Sequence, residues 1–304
     1  MTKQNDKIKT WIVIAITTIL LTVVIKFMYF NDNNSKDYSP KPLQVRIILD
    51  SSQNGFVQNV YFNSRIESEG KLIDGKKDSI WNYYSEFGKL TSKVSFHLGE
   101  KHGSSISFHP NGNISEILHY TNDLPDGEWI KFGEDGKTVL LKAKYENAKL
   151  EGRYNVYFDD GKIEGEYVYS NGVKNGKYVG YDVNSEGKSY IRQTGSYKNN
   201  LEEGEWKTYE YYNDLKDNTI GKKLILVFQG NYRNGKYHGI SIDYHAKYGF
   251  KLIETHYIDG VENGTRKSYC PSGVDRGRLY IVEEIVEGEA VSKKYYCKCN
   301  IAIE

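Results

Sequence analysis

The chain has 304 residues, of which only 38% are hydrophobic, while 27 are tyrosine and 29 are glycine. Aromatic residues set between turn residues favour a thin sheet over a thick aliphatic core, so we expect an all-β fold. Lys and Arg (41) nearly balance Asp and Glu (40). Without a basic excess or a long basic run, the chain lacks the electrostatic footprint of a duplex-binding protein, and we expect no nucleic-acid partner.

The N-terminal segment predicts one membrane-spanning helix over residues 10–30. Residues 11–25 are an almost uninterrupted apolar run, and about 20 residues at roughly 1.5 Å each cross the hydrocarbon layer. The preceding residues 1–9 carry Lys3, Lys7 and Lys9, which places the N-terminus in the cytoplasm by the positive-inside rule. Because no small-residue cleavage site closes the run, we favour an uncleaved signal anchor over a cleaved signal peptide.

The polar residues 31–44, with two prolines, are typical of a linker. Residues 45–304 therefore form a domain that we expect to be periplasmic or extracellular and tied to the membrane through residues 10–30. This domain contains about ten copies of a repeat, and a period of this length decides the fold. In each copy, we call the residue equivalent to Gly127, with which a predicted strand begins, the anchor. The anchors, 24 to 35 residues apart, are Gly55, Ser79, Gly103, Gly127, Gly152, Gly176, Gly204, Gly239, Gly264 and Ser292.

Aromatic residues occupy fixed columns relative to the anchor. We expect the column five positions after the anchor to be structural: Tyr84, Phe108, Phe132, Tyr157, Tyr181, Tyr209, Tyr244 and Tyr269. A second column stands seven positions before the anchor: Phe96, Tyr120, Tyr145, Tyr169, Tyr197, Tyr232 and Tyr257. Residues that tolerate left-handed backbone angles stand four positions before and nine positions after the anchor, where we expect turns.

Each unit therefore predicts strand, turn, strand, turn, without room for a helix. The expected domain is an elongated single-sheet antiparallel β-hairpin solenoid of about ten repeats, preceded by the N-terminal transmembrane helix. The first and last units lack the aromatic pattern. Atypical end units are expected of caps, because an end repeat has a neighbour on one side only.

A mixed column stands two positions after the anchor, with the aromatic members Trp81, Trp129, Tyr154, Tyr178 and Trp206. It differs in parity from the column five positions after the anchor, so the two columns face opposite sides of a regular strand. We hypothesise that the mixed column lines a binding surface. The alternative is that its three tryptophans are further core.

Catalytic chemistry is not indicated. The seven histidines are scattered without a metal-ligand spacing, and neither a nucleophile elbow nor a phosphate-binding loop occurs, so we expect no catalytic residue, no metal site and no cofactor. The three cysteines leave two readings open: a disulfide of Cys270 with Cys297 or Cys299, or free thiols.

Three segments resemble MORN repeats: residues 126–132 (DGEWIKF), 175–181 (NGKYVGY) and 203–209 (EGEWKTY). They are more closely similar to the bacterial variant in YwqK-family antitoxins, and the similarity covers about residues 45–300. The resemblance implies a hairpin array. MORN arrays serve as protein-binding, lipid-associated and spacer modules, and the antitoxin group implies a toxin partner.

From these features we expect a membrane-anchored, non-enzymatic scaffold that binds a protein, an envelope polymer or a lipid surface through the exposed face of its sheet. An antitoxin that acts by protein–protein binding is the alternative implied by the resemblance. An enzyme is the third possibility, and it requires a deep polar pocket with clustered titratable groups.

Overall fold

A computed structural model describes residues 45–47, 53–212 and 223–296, all within the unit Gln44–Glu304. The predicted membrane span, the linker, Cys297 and Cys299 lie outside the described residues. The strands are β1 (Val45–Ile47), β2 (Gly55–Val60), β3 (Ile66–Ile73), β4 (Lys76–Tyr84), β5 (Leu90–His97), β6 (Glu100–Phe108), β7 (Ile114–Thr121), β8 (Leu124–Phe132), β9 (Val139–Glu146), β10 (Lys149–Leu150), β11 (Gly152–Tyr157), β12 (Ile163–Ser170), β13 (Val173–Lys174), β14 (Gly176–Val183), β15 (Ser189–Lys198), β16 (Leu201–Tyr212), β17 (Lys223–Arg233), β18 (Lys236–Tyr244), β19 (Lys251–Ile258), β20 (Val261–Tyr269), β21 (Leu279–Val286) and β22 (Glu289–Tyr295).

These 22 strands form one antiparallel sheet in which strands pair with their neighbours in sequence. Strands β10 and β11 both pair with β9, and β13 and β14 both pair with β12, so each of these two sets is one strand with an interruption. The prediction of an all-β fold built on a single antiparallel sheet is confirmed. The described ranges contain no helix, and hence none that could cross a membrane.

Two-residue turns join the strands along one side of the sheet, where strand ends line up, four positions before each anchor from Ser79 onward. We call this side the first edge. Both central residues have positive φ, as at Asp74 (49°) and Gly75 (71°), which is the type I′ geometry that matches strand twist. Even Ala148 adopts φ of 63°. The second turn residue also donates its N–H to the preceding hairpin, as Gly99 N does to Lys77 O at 2.7 Å. The predicted turns are confirmed, and they connect successive hairpins.

Longer turns join the strands along the opposite side of the sheet, which we call the second edge. They lie nine positions after the anchor in the regular units. In the turn after β4, Gly88 N donates to Ser85 O and Ser85 N donates to Lys89 O, both at 2.8 Å. Gly112, Gly136 and Gly161 repeat this arrangement, and all four glycines have positive φ. These turns are therefore also where the sequence predicts them.

Gly55, Gly152 and Gly176 open their strands as expected, but the other anchors lie inside theirs, which corrects the expectation that Gly127 opens one. Strand β8 begins three residues earlier, at Leu124, because Gly127 (φ 113°) forms a β-bulge that leaves pairing intact on both sides. In β6, residues 102–104 face a single residue of β5 in the same way. The same three-against-one pattern recurs in β4, β8, β16, β18 and β20, whereas β22 in the last unit has a single extra residue.

The core follows one line across the sheet, which we call the central row. Cross-strand pairing brings one residue per strand into it: Val57, Gly70, Trp81, Val94, Ser105, Leu118, Trp129, Ala143, Tyr154, Tyr167, Tyr178, Gly195, Trp206, Gly230, Ser241, Thr255, Arg266, Glu283 and Lys293. Eleven of these residues are buried. A single-layer sheet thus obtains its core by packing neighbouring side chains along one face.

Candidate functional site: the aromatic face

The predicted binding column belongs to the central row. Trp81, Tyr178 and Trp206 are only 1%, 7% and 4% exposed, whereas Trp129 and Tyr154 are half-buried. The burial of the first three rings favours the alternative that they are core. Binding through this column stays a hypothesis, with Trp129 and Tyr154 offering the accessible ring surface.

Glycines in adjacent strands make room for the tryptophans. A Cβ atom added to Gly70 would lie 2.5 Å from the Trp81 ring, and one added to Gly195 would lie 2.2 Å from the Trp206 ring. Both distances are far inside van der Waals contact. Each indole therefore lies flat over the backbone of the preceding strand, where only glycine fits.

The column seven positions before the anchor shares this face. Each of its rings pairs across the strands with a preceding anchor, as Tyr145 does with Gly127. The resulting ring contacts fall within the 4.5–7 Å preferred by aromatic pairs. Centroid separations are 5.6 Å for Trp129–Tyr145, 5.2 Å for Tyr154–Tyr169, 5.9 Å for Tyr178–Tyr197, 6.0 Å for Trp206–Tyr232 and 5.1 Å for Tyr237–Tyr257.

We call this surface the aromatic face, and the continuous ring contacts from Trp129 to Tyr257 the aromatic ladder. The sequence showed the column seven positions before the anchor. It did not show which face of the sheet these rings occupy. Sequence reasoning also missed Tyr167 and Tyr237, which stand outside the fixed columns and bridge their rings, with Tyr167 4.8 Å from Tyr178 and Tyr237 4.6 Å from Tyr232.

Burial sets the acid–base behaviour of the ladder. Desolvation raises the pKa of Tyr197 to about 12, and it also raises the pKa values of Tyr167 and Tyr232. These hydroxyls are neutral at physiological pH. They can donate and accept hydrogen bonds beside apolar ring surface.

Lysine ammonium groups lie over the rings in the N-terminal half of the aromatic face. Lys77 is 4.6 Å from the Trp81 centroid, Lys101 is 4.8 Å from that of Tyr120, and Lys174 is 4.5 Å from that of Tyr167. Lys131 is 5.1 Å from the ring of Trp129. All four lie within cation–π range. The ammonium groups of Lys101 and Lys174 form no ion pair among the described residues, although the backbone N–H of Lys101 donates to Asp123 Oδ1 at 2.7 Å.

The indole nitrogens of the three buried or half-buried tryptophans differ in their partners. Trp81 Nε1 donates to Lys71 O at 3.0 Å, and Trp129 Nε1 donates to a carboxylate oxygen of Glu116 at 2.7 Å. Trp206 Nε1 is buried and has no acceptor among the described residues. A buried donor left unpaired costs about 1–3 kcal/mol.

The predicted structural column lies on the opposite face, as parity requires, and all eight of its members are half-buried. Tyr84 Oη donates to Glu69 at 2.6 Å, a bond that raises the pKa of Tyr84 to about 12. Partial burial, and the hydrogen bonds from Tyr84 to Glu69 and from Tyr244 to Gln229, fit the structural role proposed for this column.

Charged residues replace the rings at the C-terminal end of the central row. Glu283, only 7% exposed, accepts hydrogen bonds from Arg266 at 2.9 Å and pairs with Lys293 at 3.2 Å. A second carboxylate, Glu262, lies 2.9 Å from Arg266. The bond from Arg266 is the main cause that lowers the pKa of Glu283. We call these four residues the ion cluster.

An open hollow of about 200 Å³ is lined by Ile240, Glu254, Thr255, His256, Thr265 and Lys267. Its carboxylate, Glu254, bonds to Lys251 at 2.6 Å and to Lys267 at 2.7 Å, and these bonds lower its pKa. The group is held ionised, whereas a general acid needs a pKa near the working pH. Within the described part of the chain, no group of three or more His, Cys, Asp or Glu residues could hold a metal ion.

Cys270 is fully buried and disulfide-bonded, which confirms the disulfide reading for this residue. Comparison with known proteins adds no further identification: no protein-family model matches the chain, and no curated protein matches it either.

Proposed function

We propose that this chain is a non-enzymatic, membrane-anchored scaffold whose MORN-like β-hairpin solenoid binds an extended partner along its aromatic face. The aromatic ladder carries this proposal. Its ring contacts continue from Trp129 to Tyr257, so a partner laid across these strands passes aromatic residues at successive hairpins, at intervals of roughly 9.6 Å for two strands.

The lysines favour an anionic envelope polymer among the partner classes expected from the sequence. The ammonium groups of Lys101 and Lys174 lie over rings and form no ion pair among the described residues. A polymer of sugar units with acidic groups would stack its apolar sugar faces on the rings and place its anions beside the ammonium groups.

The location outside the cytoplasm rests on residues 10–30 and on Cys270. Disulfides persist in oxidising compartments and are rare in the cytoplasm, so a buried disulfide-bonded cysteine supports a periplasmic or extracellular repeat domain. Topology can be tested by protease treatment of intact cells. Accessibility of the repeat domain only from the cytoplasm would contradict the proposed location outside it.

Charge reversal on each face tests the binding proposal. The full chain in nanodiscs would be titrated with alginate, an acidic polysaccharide, and with dextran, a neutral one. Lys101→Glu with Lys174→Glu should weaken alginate binding about tenfold and reduce its salt dependence, because both cations face the polymer. The matched control, Lys93→Glu with Lys177→Glu, makes the same charge change at exposed positions on the opposite face and should leave binding unchanged. Equal effects of the two pairs, or equal binding of dextran, would count against the proposal.

A further inference from the structure

The turns of the second edge differ sharply at their tips. In the middle of the sheet the two tip residues are polar or proline, as in Pro110–Asn111, Glu134–Asp135 and Asp159–Asp160. The first two tips instead present Phe62, 79% exposed, and Phe87, 82% exposed. These are the two most exposed aromatic side chains among the described residues. Turn chemistry favours polar residues at such tips, so two neighbouring phenylalanines require a separate reason.

The two tips are fixed side by side. Asn63 Nδ2 donates to Glu86 O at 3.2 Å, and Arg65 Nη1 donates to the same carbonyl at 3.1 Å. Tyr61 Oη donates to Tyr84 O at 2.7 Å at the base of the pair. Three bonds between the turns hold the backbone beneath both rings, so a surface that accepts one ring meets the other with little further ordering.

Each tip also carries a cation within three residues of its phenylalanine in the sequence, although the Lys89 ammonium donates to Pro110 O of the next turn at 2.8 Å. Arg65 follows Phe62 by three residues, and Lys89 follows Phe87 by two. An apolar ring beside a cation is the combination found where proteins enter the head-group region of a bilayer.

The chain itself indicates which surface the tips meet. The span proposed for residues 10–30 is followed by only 14 residues, 31–44, before the sheet begins with β1 and β2. Fourteen residues can span at most about 50 Å, whatever their conformation. The first hairpins are thereby tethered at high effective concentration to the bilayer, so that even a weak contact is populated.

We propose that Phe62 and Phe87 insert into the head-group region of the bilayer that anchors the chain. The proposal rests on the membrane anchor of the proposed function, but not on the aromatic face or its partner. Because both rings are solvent-exposed, they can be replaced without loss of the fold.

Photo-crosslinking tests the insertion on the full chain in vesicles of phosphatidylcholine and phosphatidylglycerol. Benzoylphenylalanine would replace Phe62 or Phe87, and as matched controls Glu134 or Asp159, which are exposed tip residues of the same edge. Lipid adducts should form at positions 62 and 87 about tenfold more than at the controls, the factor expected for partial burial of one phenylalanine.

Alkaline extraction of the same vesicles separates the possible failures. A chain retained in the bilayer, with equal lipid adducts at all four positions, would overturn the insertion and leave the anchor intact. Adducts between two protein chains at positions 62 and 87 would assign the tips to a second copy, and would also overturn it. Release of the chain by alkali would show that residues 10–30 do not anchor it in the bilayer. That result would overturn both the membrane part of the proposed function and this inference.

Discussion

The aromatic ladder and the ion cluster occupy the same central row of one sheet. Trp206 and Arg266 both stand two positions after an anchor, next to the same kind of bulge and between the same kinds of turn. Trp206 packs among rings, whereas Arg266 bonds to two carboxylates. The repeated backbone pattern therefore determines where a side chain lies. It does not determine whether ring packing or ion pairing stabilises that position.

The two regions should respond to opposite stresses. Ring packing is insensitive to acid but fails when buried tyrosines ionise. Ion pairs fail when their carboxylates are protonated. Four perturbations distinguish the regions.

Removal of a buried ring should be the most damaging change. Trp206→Ala should lower the free energy of unfolding by about 3–5 kcal/mol, because it empties a buried site on the ladder. Denaturant unfolding followed by circular dichroism measures this. Phe87→Ala, at an 82% exposed tip, is the control and should change stability by less than about 0.5 kcal/mol. Equal effects of the two variants would show that the ladder is not the core.

Filling the space beneath the ring should cost less. Gly195→Ala places a Cβ atom 2.2 Å from the Trp206 ring and should destabilise the sheet by about 1–3 kcal/mol as the indole is displaced. Gly133→Ala is the matched control, since its added Cβ atom would meet nothing closer than 3.5 Å. A red shift of tryptophan emission should accompany the first substitution only. An unchanged spectrum and stability would contradict the close packing.

The ion cluster should be acid-labile. The folded-state pKa of Glu283 is lowered, so its stabilisation is fully present above the unfolded value of 4.5 and is lost as the pH falls through the folded pKa. Glu283→Gln should cost about 1–2 kcal/mol at pH 7, since it weakens two charge-assisted bonds whose cationic partners, Arg266 and Lys293, are partly exposed.

Hydrogen exchange resolved by segment checks this prediction. Between pH 7 and pH 3.5, strands β20 to β22 should lose protection relative to β12 to β16, after correction for the intrinsic pH dependence of exchange. The Glu283→Gln variant should show a smaller change over the same range. Uniform loss along the sheet would contradict a local cause.

Alkali should act on the ladder, with the smallest effect. The folded-state pKa values of Tyr167, Tyr197 and Tyr232 are raised, so their neutral forms favour folding below the unfolded value of 10.0, and this contribution is lost as the pH rises through the folded values. At pH 10.5, segments β12 to β17 should lose protection before the ion cluster does. Phenolate absorbance should appear in step with that loss. Ionisation with unchanged protection would mean that burial does not control these hydroxyls.

The sequence by itself determined the turns, the strand pairing and the number of hairpins. Turn residues recur at fixed offsets, and strands separated by short turns pair with their neighbours, so the repeat admits one sheet. The facing of the column five positions after the anchor also follows from parity within a single strand. What remained open was the facing of each column relative to those on neighbouring strands.

Only the tertiary structure decided which column is buried. Each hairpin contains two register shifts: one at the anchor, and one at the second edge, where Tyr83 pairs with Ser92 but Tyr84 pairs with Leu90. A shift of one residue exchanges the two faces, so the sequence of a single strand cannot show that Tyr145 joins Trp129. The partnership of Arg266 with Glu283 was hidden for the same reason, because it depends on pairing across an irregular turn. Local spacing determined the strands, and the bulges between them determined the core.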